Sequence, residues 1–285
     1  MKKLSLLTAL IGACFAINAH AYQTETKGSY ERINMDDGKG NSAVLTGKYY
    51  FNPVQTRNAP LAEAAFLDRA SNIGGGYAYS KLKDDEGFGD LQFNILGLQG
   101  EFYIPDSQFY LSGALHRTNV KTTINGVGSH SENGHGYHLE AGFLPVHGLL
   151  LAAGVADLSD SIDPIQIAQY GFMTNIANSA IVSEEKDDTA ISLRAKYVTQ
   201  VGGYYTNFEA LSYIGDETTY RLGADLYLDP TLSIGISFAD STLKDSDSIF
   251  NIRAQKFLNP QFAVGVGYTT TDGADSYGLN GTARF

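Results

Sequence analysis

Cysteine occurs once, at Cys14, and nowhere does the chain hold a long apolar run. A single thiol excludes an intrachain disulfide framework. The longest apolar stretch, residues 4–15, is about a dozen residues against the roughly 20 that a spanning helix needs, so helical membrane spans are excluded. Basic residues are scarce as well: 20 Lys and Arg stand against 31 Asp and Glu, a balance that argues against nucleic-acid binding.

The first 21 residues have the layout of a cleaved export signal. Lys2 and Lys3 form the basic start, residues 4–15 the apolar middle, and Ala19-His20-Ala21 the small-x-small cleavage site, so the mature chain is expected to begin at Tyr22. Ile11-Gly12-Ala13-Cys14 also passes as a lipoprotein cleavage box. The Ala19–Ala21 site is preferred because it directly abuts the first alternating segment. Removal of the leader takes away the only cysteine, and 20 basic residues become 18 against 31 acidic ones, moving the net charge from −11 to −13.

What the chain has in quantity is 31 Gly, 18 Tyr and 15 Phe in a composition that is 43% hydrophobic, which favours strands joined by tight turns. Alternation is explicit. Leu232, Ile234, Ile236 and Phe238 alternate with Ser233, Gly235, Ser237 and Ala239; Leu222, Ala224 and Leu226 alternate with Arg221, Gly223 and Asp225; Ile191 and Leu193 oppose Ser192 and Arg194. One face suits oil and the other a wet interior. A soluble sandwich would give the same alternation with the faces reversed. The export signal, segments near the roughly ten residues of a tilted membrane strand, and aromatics clustered at strand ends favour the inside-out arrangement.

Strands are predicted near residues 22–33, 42–52, 72–83, 91–104, 109–121, 136–145 and 149–158, then 189–200, 204–214, 218–228, 232–242, 248–258, 262–270 and 275–285. The reading is an all-β, transmembrane antiparallel barrel of about fourteen strands over residues 22–285, located in the outer membrane of a Gram-negative cell. It must close, because in lipid an unpaired strand edge leaves backbone groups costing several kcal/mol each.

Short turns are signalled by an aromatic leading into Asn-Pro or Asp-Pro, at Asn52-Pro53, Asp229-Pro230 and Asn259-Pro260, with Tyr103-Ile104-Pro105-Asp106 and Phe143-Leu144-Pro145 as variants. These are expected at the periplasmic end. Acidic tips at 84–86, 184–188, 216–217, 240–247 and 272–275 are expected outside the cell, where carboxylates could bridge to lipopolysaccharide through divalent cations or simply keep the loop tips soluble. The last segment alternates to a terminal Phe285, which looks like the signal read by the barrel assembly machinery.

Two inserts break the hairpin rhythm. The first, residues 53–71, carries Ala59-Pro60-Leu61-Ala62-Glu63-Ala64-Ala65-Phe66-Leu67-Asp68-Arg69-Ala70-Ser71. With the start Ala21-Tyr22-Gln23 and the end Arg284-Phe285, this segment resembles the family of small monomeric Gram-negative outer-membrane porins that includes the water-channel porin linked to carbapenem uptake. The likeness covers the mature chain in layout, and residues 60–71 are its specific motif. It implies a monomeric fourteen-stranded barrel with a restricted lumen, in which Pro60, Phe66 and Arg69 belong to a segment covering the periplasmic mouth. The second insert, residues 161–183, includes Tyr170 and Phe172 and is too apolar to stand free in water. It is expected either to fold inward and narrow the extracellular mouth or to pack as a lid on the rim.

Strand parity assigns Glu25, Lys27, Lys48, Glu140, Arg194, Lys196, Glu209, Arg221, Asp225, Arg253 and Arg284 to the lumen. Facing charges of both signs suit a size-limited path for water, ions and small polar solutes; charges that merely pair and fill the barrel would suit a closed structural or receptor barrel. An enzyme is the competing class, with His116, His130, His135 and His138 as candidates. His130 and His135 are expected in a solvated Gly/Ser-rich loop over residues 128–136, and the neighbouring His138 and Glu140 on the polar wall. No nucleophile-elbow or HExxH spacing occurs, and no cofactor, metal or catalytic set is predicted.

Overall fold

A computed structural model describes residues 21–157, 162–175, 189–244 and 246–285. The expected leader and most of its cleavage site, together with the acidic run at 184–188 and parts of the second insert, lie outside the described residues. The fourteen described strands are β1 (Ala21–Met35), β2 (Gly38–Gln55), β3 (Asn72–Asp84), β4 (Gly89–Tyr103), β5 (Phe109–Ile124), β6 (Gly128–Phe143) and β7 (Leu149–Asp157). They continue as β8 (Thr189–Val201), β9 (Tyr204–Ile214), β10 (Thr218–Asp229), β11 (Leu232–Ser241), β12 (Ile249–Asn259), β13 (Phe262–Thr271) and β14 (Ala274–Arg284). A 3₁₀ turn, Leu61–Glu63, leads into α1 (Ala64–Leu67), and α2 spans Pro164–Tyr170.

Each strand pairs antiparallel with its sequence neighbours, and β1 pairs with β14 to close the barrel. That seam runs from Glu25 opposite Arg284 to Met35 opposite Ala274. The Phe285 carbonyl accepts from the backbone N–H of Gln23 and Thr24, and its own N–H donates to Thr24. Closure leaves no edge for lipid to meet.

The faces decide between barrel and sandwich. Leu98, Leu115, Leu139, Leu222, Ile236 and Leu279 all stand exposed on the outside, at 52–64% relative accessibility, while Ser42, Thr46, Ser192, Arg221, Ser237 and Thr282 are buried on the inside. A soluble sandwich would reverse this order. Aromatics ring the barrel end where β1 begins, here called the proximal end: Phe51 stacks on Phe102, Phe109 lies against Phe143, and Phe262 meets Phe285 edge-on.

The turns at that end follow their sequence signals. Asp229 accepts from the Thr231 N–H at 2.7 Å, and Asn259 accepts from the N–H of Gln261 and Phe262 at 2.9 Å, so each short acceptor side chain closes the bend that its Pro begins. Asn52-Pro53 departs from expectation. β2 runs on to Gln55 through a register shift opposite Tyr22 and Thr24, and an irregularity of that kind accommodates a proline without a ladder N–H.

A second departure lies at residues 128–136, expected as a loop. They are strand, and β5 and β6 pair continuously from Phe109 opposite Phe143 to Ile124 opposite Gly128, while β6 meets β7 only from Tyr137 onward. This hairpin extends beyond its neighbour, so it needs no apolar face to form. Its Ser, His and Glu residues hide the strand from any search for alternating hydrophobicity. His130 and His135 therefore sit on β6.

Candidate functional site: a charged cavity between two inserted segments

The proximal insert is held to the wall from several sides. The Leu61 N–H donates to the Pro230 carbonyl at 2.8 Å, and the Leu61 carbonyl accepts from Arg284 at 2.7 Å. Leu61 packs with Phe257 and Ala263, while Ala64 and Ala70 pack with Tyr22, Tyr50 and Val54. Asp68 accepts from the Gln55 N–H and pairs with Arg57 at 2.7 Å. Arg69, in left-handed backbone at φ 51°, donates to the Ser107 carbonyl. Pro60 begins the turn, and Phe66 reaches the Tyr110, Leu144 and Leu150 cluster.

Glu63 carries this segment into the wall chemistry. Its carboxylate accepts from the Tyr227 hydroxyl at 2.6 Å and pairs with Lys196 at 2.8 Å. Lys196 also pairs with Glu209 at 2.8 Å and lies 5.0 Å from the centre of the Phe66 ring.

The distal insert folds inward. β1 to β4 place Ile33, Val44, Ala78 and Ile95 on the inner wall, and Ile162, Ile167, Ala168, Phe172 and Met173 cover them. Close approach is possible because Gly97 lacks a side chain: a Cβ there would stand 2.7 Å from the Pro164 ring. Asp163 caps α2 through the Ile165 N–H at 2.8 Å, Pro164 suits its first turn, and Thr118 accepts from the Ile162 N–H. Burial pushes the Asp163 carboxyl above its ordinary 3.8. A further helical turn at 172–175 starts against Glu31, which accepts from the Phe172 and Met173 N–H groups and from the Ser276 hydroxyl.

Tyr170 links this insert to the charged wall. Its hydroxyl donates to Glu209, and the Arg221 guanidinium lies 3.5 Å from the centre of its ring. Burial pushes the Tyr170 hydroxyl up to about 12, so it remains a donor at neutral pH. Arg221 also donates to the Gln166 side-chain carbonyl. Of the two arrangements open from sequence, the inward fold is the one found for the described part of this insert.

Between the inserts is a cavity of about 400 Å³. Lys48, Arg194, Lys196, Glu209, Arg221, Asp225, Arg253 and Arg284 border it, with Glu25 and Lys27. Glu140 does not: its side chain is fully covered in the wall, where it pairs with Arg194 at 3.4 Å. Phe66 and Tyr170 border the cavity from the two inserts, whereas Pro60, Arg69 and Phe172 lie behind them as anchors. The wall charges are ordered in pairs: Arg284 with Glu25 at 2.6 Å, Arg253 with Asp225 at 2.8 Å, and Lys48 with Glu101 at 3.6 Å.

Four acidic residues of the site were absent from the sequence-derived set. Glu31 and Glu101 had a usable signal, since each follows the inward parity of its strand. Glu63 and Asp163 sit on inserts, where parity says nothing. His138 borders the cavity and hydrogen-bonds to Ser192 at 2.9 Å, and Glu140 lies 3.9 Å from the same Nε2 atom. His116 is buried in the wall. Among the described residues, no group of three His, Cys, Asp or Glu side chains converges as a metal set.

Comparison with known proteins agrees with this architecture. The Acinetobacter baumannii outer membrane protein Omp33 superposes with a TM-score of 0.68 at 26% identity, over 93% of this chain and 99% of that one. The CymD monoaromatic hydrocarbon channel (TM-score 0.53, 9% identity, 93% and 89% covered) and a Pseudomonas aeruginosa FadL homologue (0.51, 10%, 93% and 90%) share the barrel fold. A comparison with curated protein sequences found no match. The profile of the family described as putative general bacterial porin matches residues 1–285, and the chain belongs to that family, as a porin of the Gram-negative outer membrane.

Proposed function

We propose that this porin is a narrow passive-diffusion channel for water, ions and small polar solutes, held near closure by its two inserts. The observation that carries the reading is the polar cavity of about 400 Å³ lying inside the barrel between Phe66 and Tyr170. In lipid a barrel needs no charged interior for stability, and a wet, charged lumen is what such barrels use to select solutes. The proximal end faces the periplasm in this reading, and the apolar outer belt faces lipid and lipopolysaccharide around a monomer. Phe285 serves recognition by the assembly machinery.

Catalysis is not part of the proposal. A hydrolase would need an acid on the ring nitrogen opposite the nucleophile, whereas Ser192 and Glu140 both approach Nε2 of His138, and Ser192 is buried. The second reading is a largely closed structural or receptor barrel. The apolar seat of the distal insert on Ile33, Val44, Ala78 and Ile95 favours it.

Single-channel conductance and liposome swelling with the refolded mature chain separate the two. Small stable conductance with size-limited swelling is expected, rising when residues 60–71 or 161–183 are deleted. A folded, heat-modifiable barrel that passes nothing, with or without the inserts, would establish the closed reading instead.

A further inference from the structure

The cavity's charges are not evenly matched with partners. Every acid on its border has a donor: Glu25 takes Arg284, Glu63 and Glu209 share Lys196, Glu101 takes Lys48, Asn72 and Tyr110, and Asp225 takes Arg253. Glu31 and Asp163 are taken by backbone N–H groups of the distal insert. Among the cations, Arg221 is occupied by Gln166 and the face of Tyr170.

Lys27 is different. It borders the cavity, yet among the described residues no carboxylate lies within 4.0 Å of its ammonium, and its three N–H donors have no acceptor. Thr46 on β2 and Thr282 on β14 sit directly opposite it in register, both buried and both on the cavity border. Glu25 attracts Lys27 electrostatically but is itself held by Arg284 at 2.6 Å, and Arg253, Lys48 and Arg284 add positive field.

We propose that Lys27, flanked by Thr46 and Thr282, forms a subsite for a small monocarboxylate in transit through the lumen. A part-buried ammonium whose attracting acid, Glu25, is already ion-paired with Arg284 gains from any further anion that reaches it. The solute is a single carboxylate rather than a phosphate for a specific reason. Phosphate recognition favours a second free cation or a free guanidinium fork, and the cations beside Lys27 are engaged, Lys48 by Glu101, Arg253 by Asp225 and Arg284 by Glu25. A cavity of about 400 Å³ leaves ample room for a small carboxylate beside Lys27. The inference rests on the channel reading for its meaning as transit, so its test includes a binding measurement that needs no conduction.

The purified protein in detergent is titrated with sodium acetate, with sodium phosphate and methylammonium chloride at matched ionic strength as controls, and the thermal unfolding midpoint is followed. Acetate is expected to raise the midpoint saturably and the controls are not. Lys27→Gln should weaken acetate by about tenfold or more, the scale of a lost charge-assisted hydrogen bond, while Lys27→Arg should retain it and serves as the folded control. In bilayers under a potassium chloride gradient, Lys27→Glu should move the reversal potential toward cation preference.

Equal stabilisation by phosphate, or acetate binding unchanged in Lys27→Gln, would overturn the subsite. Saturable acetate binding in a protein that conducts nothing would leave the subsite standing and remove the channel reading. Conduction without acetate binding would do the reverse.

Discussion

Lys196 pairs with the proximal insert through Glu63 and with Glu209, the hydrogen-bond partner of Tyr170 on the distal insert, each at 2.8 Å. Replacing it with methionine keeps its length and removes its charge. At that separation each pair is worth about 6 kcal/mol for an effective dielectric near 20. Repulsion between the two carboxylates and the entry of water change that sum, and removing one partner of a buried pair costs about 3–5 kcal/mol. The backbone ladder of β8 and β9 is untouched, so the cost falls on the inserted segment that carries Glu63. Glu63 keeps the Tyr227 hydroxyl as a donor but loses its ion pair, and the cost bears on the docking of residues 61–67. At roughly tenfold per 1.4 kcal/mol, even 3 kcal/mol shifts the docked-to-undocked ratio of the insert by about 100-fold. Single-channel recording should therefore show longer and larger open events in Lys196→Met, and trypsin should cut faster at Arg57 and Arg69, with heat modifiability retained. Lys196→Arg should restore the parent behaviour. If Lys196→Met has the same conductance and the same cleavage rate as the parent, Glu63 is not what holds the insert, and the reasoning fails.

Three further outcomes are expected, two from the same geometry and one from the sequence. Gly97→Val should push α2 off the inner wall, because even a Cβ at this position meets the Pro164 ring at 2.7 Å; conductance should rise while the barrel still migrates as folded in unheated gels. Lowering pH should tighten the distal insert. The Asp163 carboxyl is raised by burial, so its contribution to docking is greatest below the unfolded pKa and is lost as pH rises through the folded one. Conductance should accordingly fall as pH drops toward the ordinary carboxylate range, and Asp163→Asn, which keeps an acceptor for the Ile165 N–H, should reduce that pH dependence. Finally, N-terminal sequencing of protein taken from the outer membrane should start at Tyr22; a lipidated chain starting at Cys14 would show that the other cleavage box is used.

The barrel was legible because lipid imposes a rule with period two and no exceptions for interior position. Leu222 beside Arg221, and Ile236 beside Ser237, each name the side of the wall on which they lie, and β9 spans the residues its pattern predicts. Parity likewise places Lys48, Arg194, Lys196 and Arg253 on the inside, and would have placed Glu31 and Glu101 there too. It failed at residues 128–136, where the hairpin rises past β7 and has no lipid to satisfy, and at Asn52-Pro53, where a register shift replaced the turn.

What the sequence determined by itself is therefore the membrane-spanning part: strand order, faces, and closure of the first strand on the last. All of it follows from local alternation and from the cost of an unpaired backbone group in hydrocarbon. Tertiary structure alone decided what fills the barrel. Glu63 and Tyr170 meet Lys196 and Glu209 across more than a hundred residues or from the opposite end of the molecule, and Glu25 forms its close ion pair with Arg284 rather than with Lys27. Those pairings depend on where two irregular segments come to rest in three dimensions, and no periodic pattern encodes that.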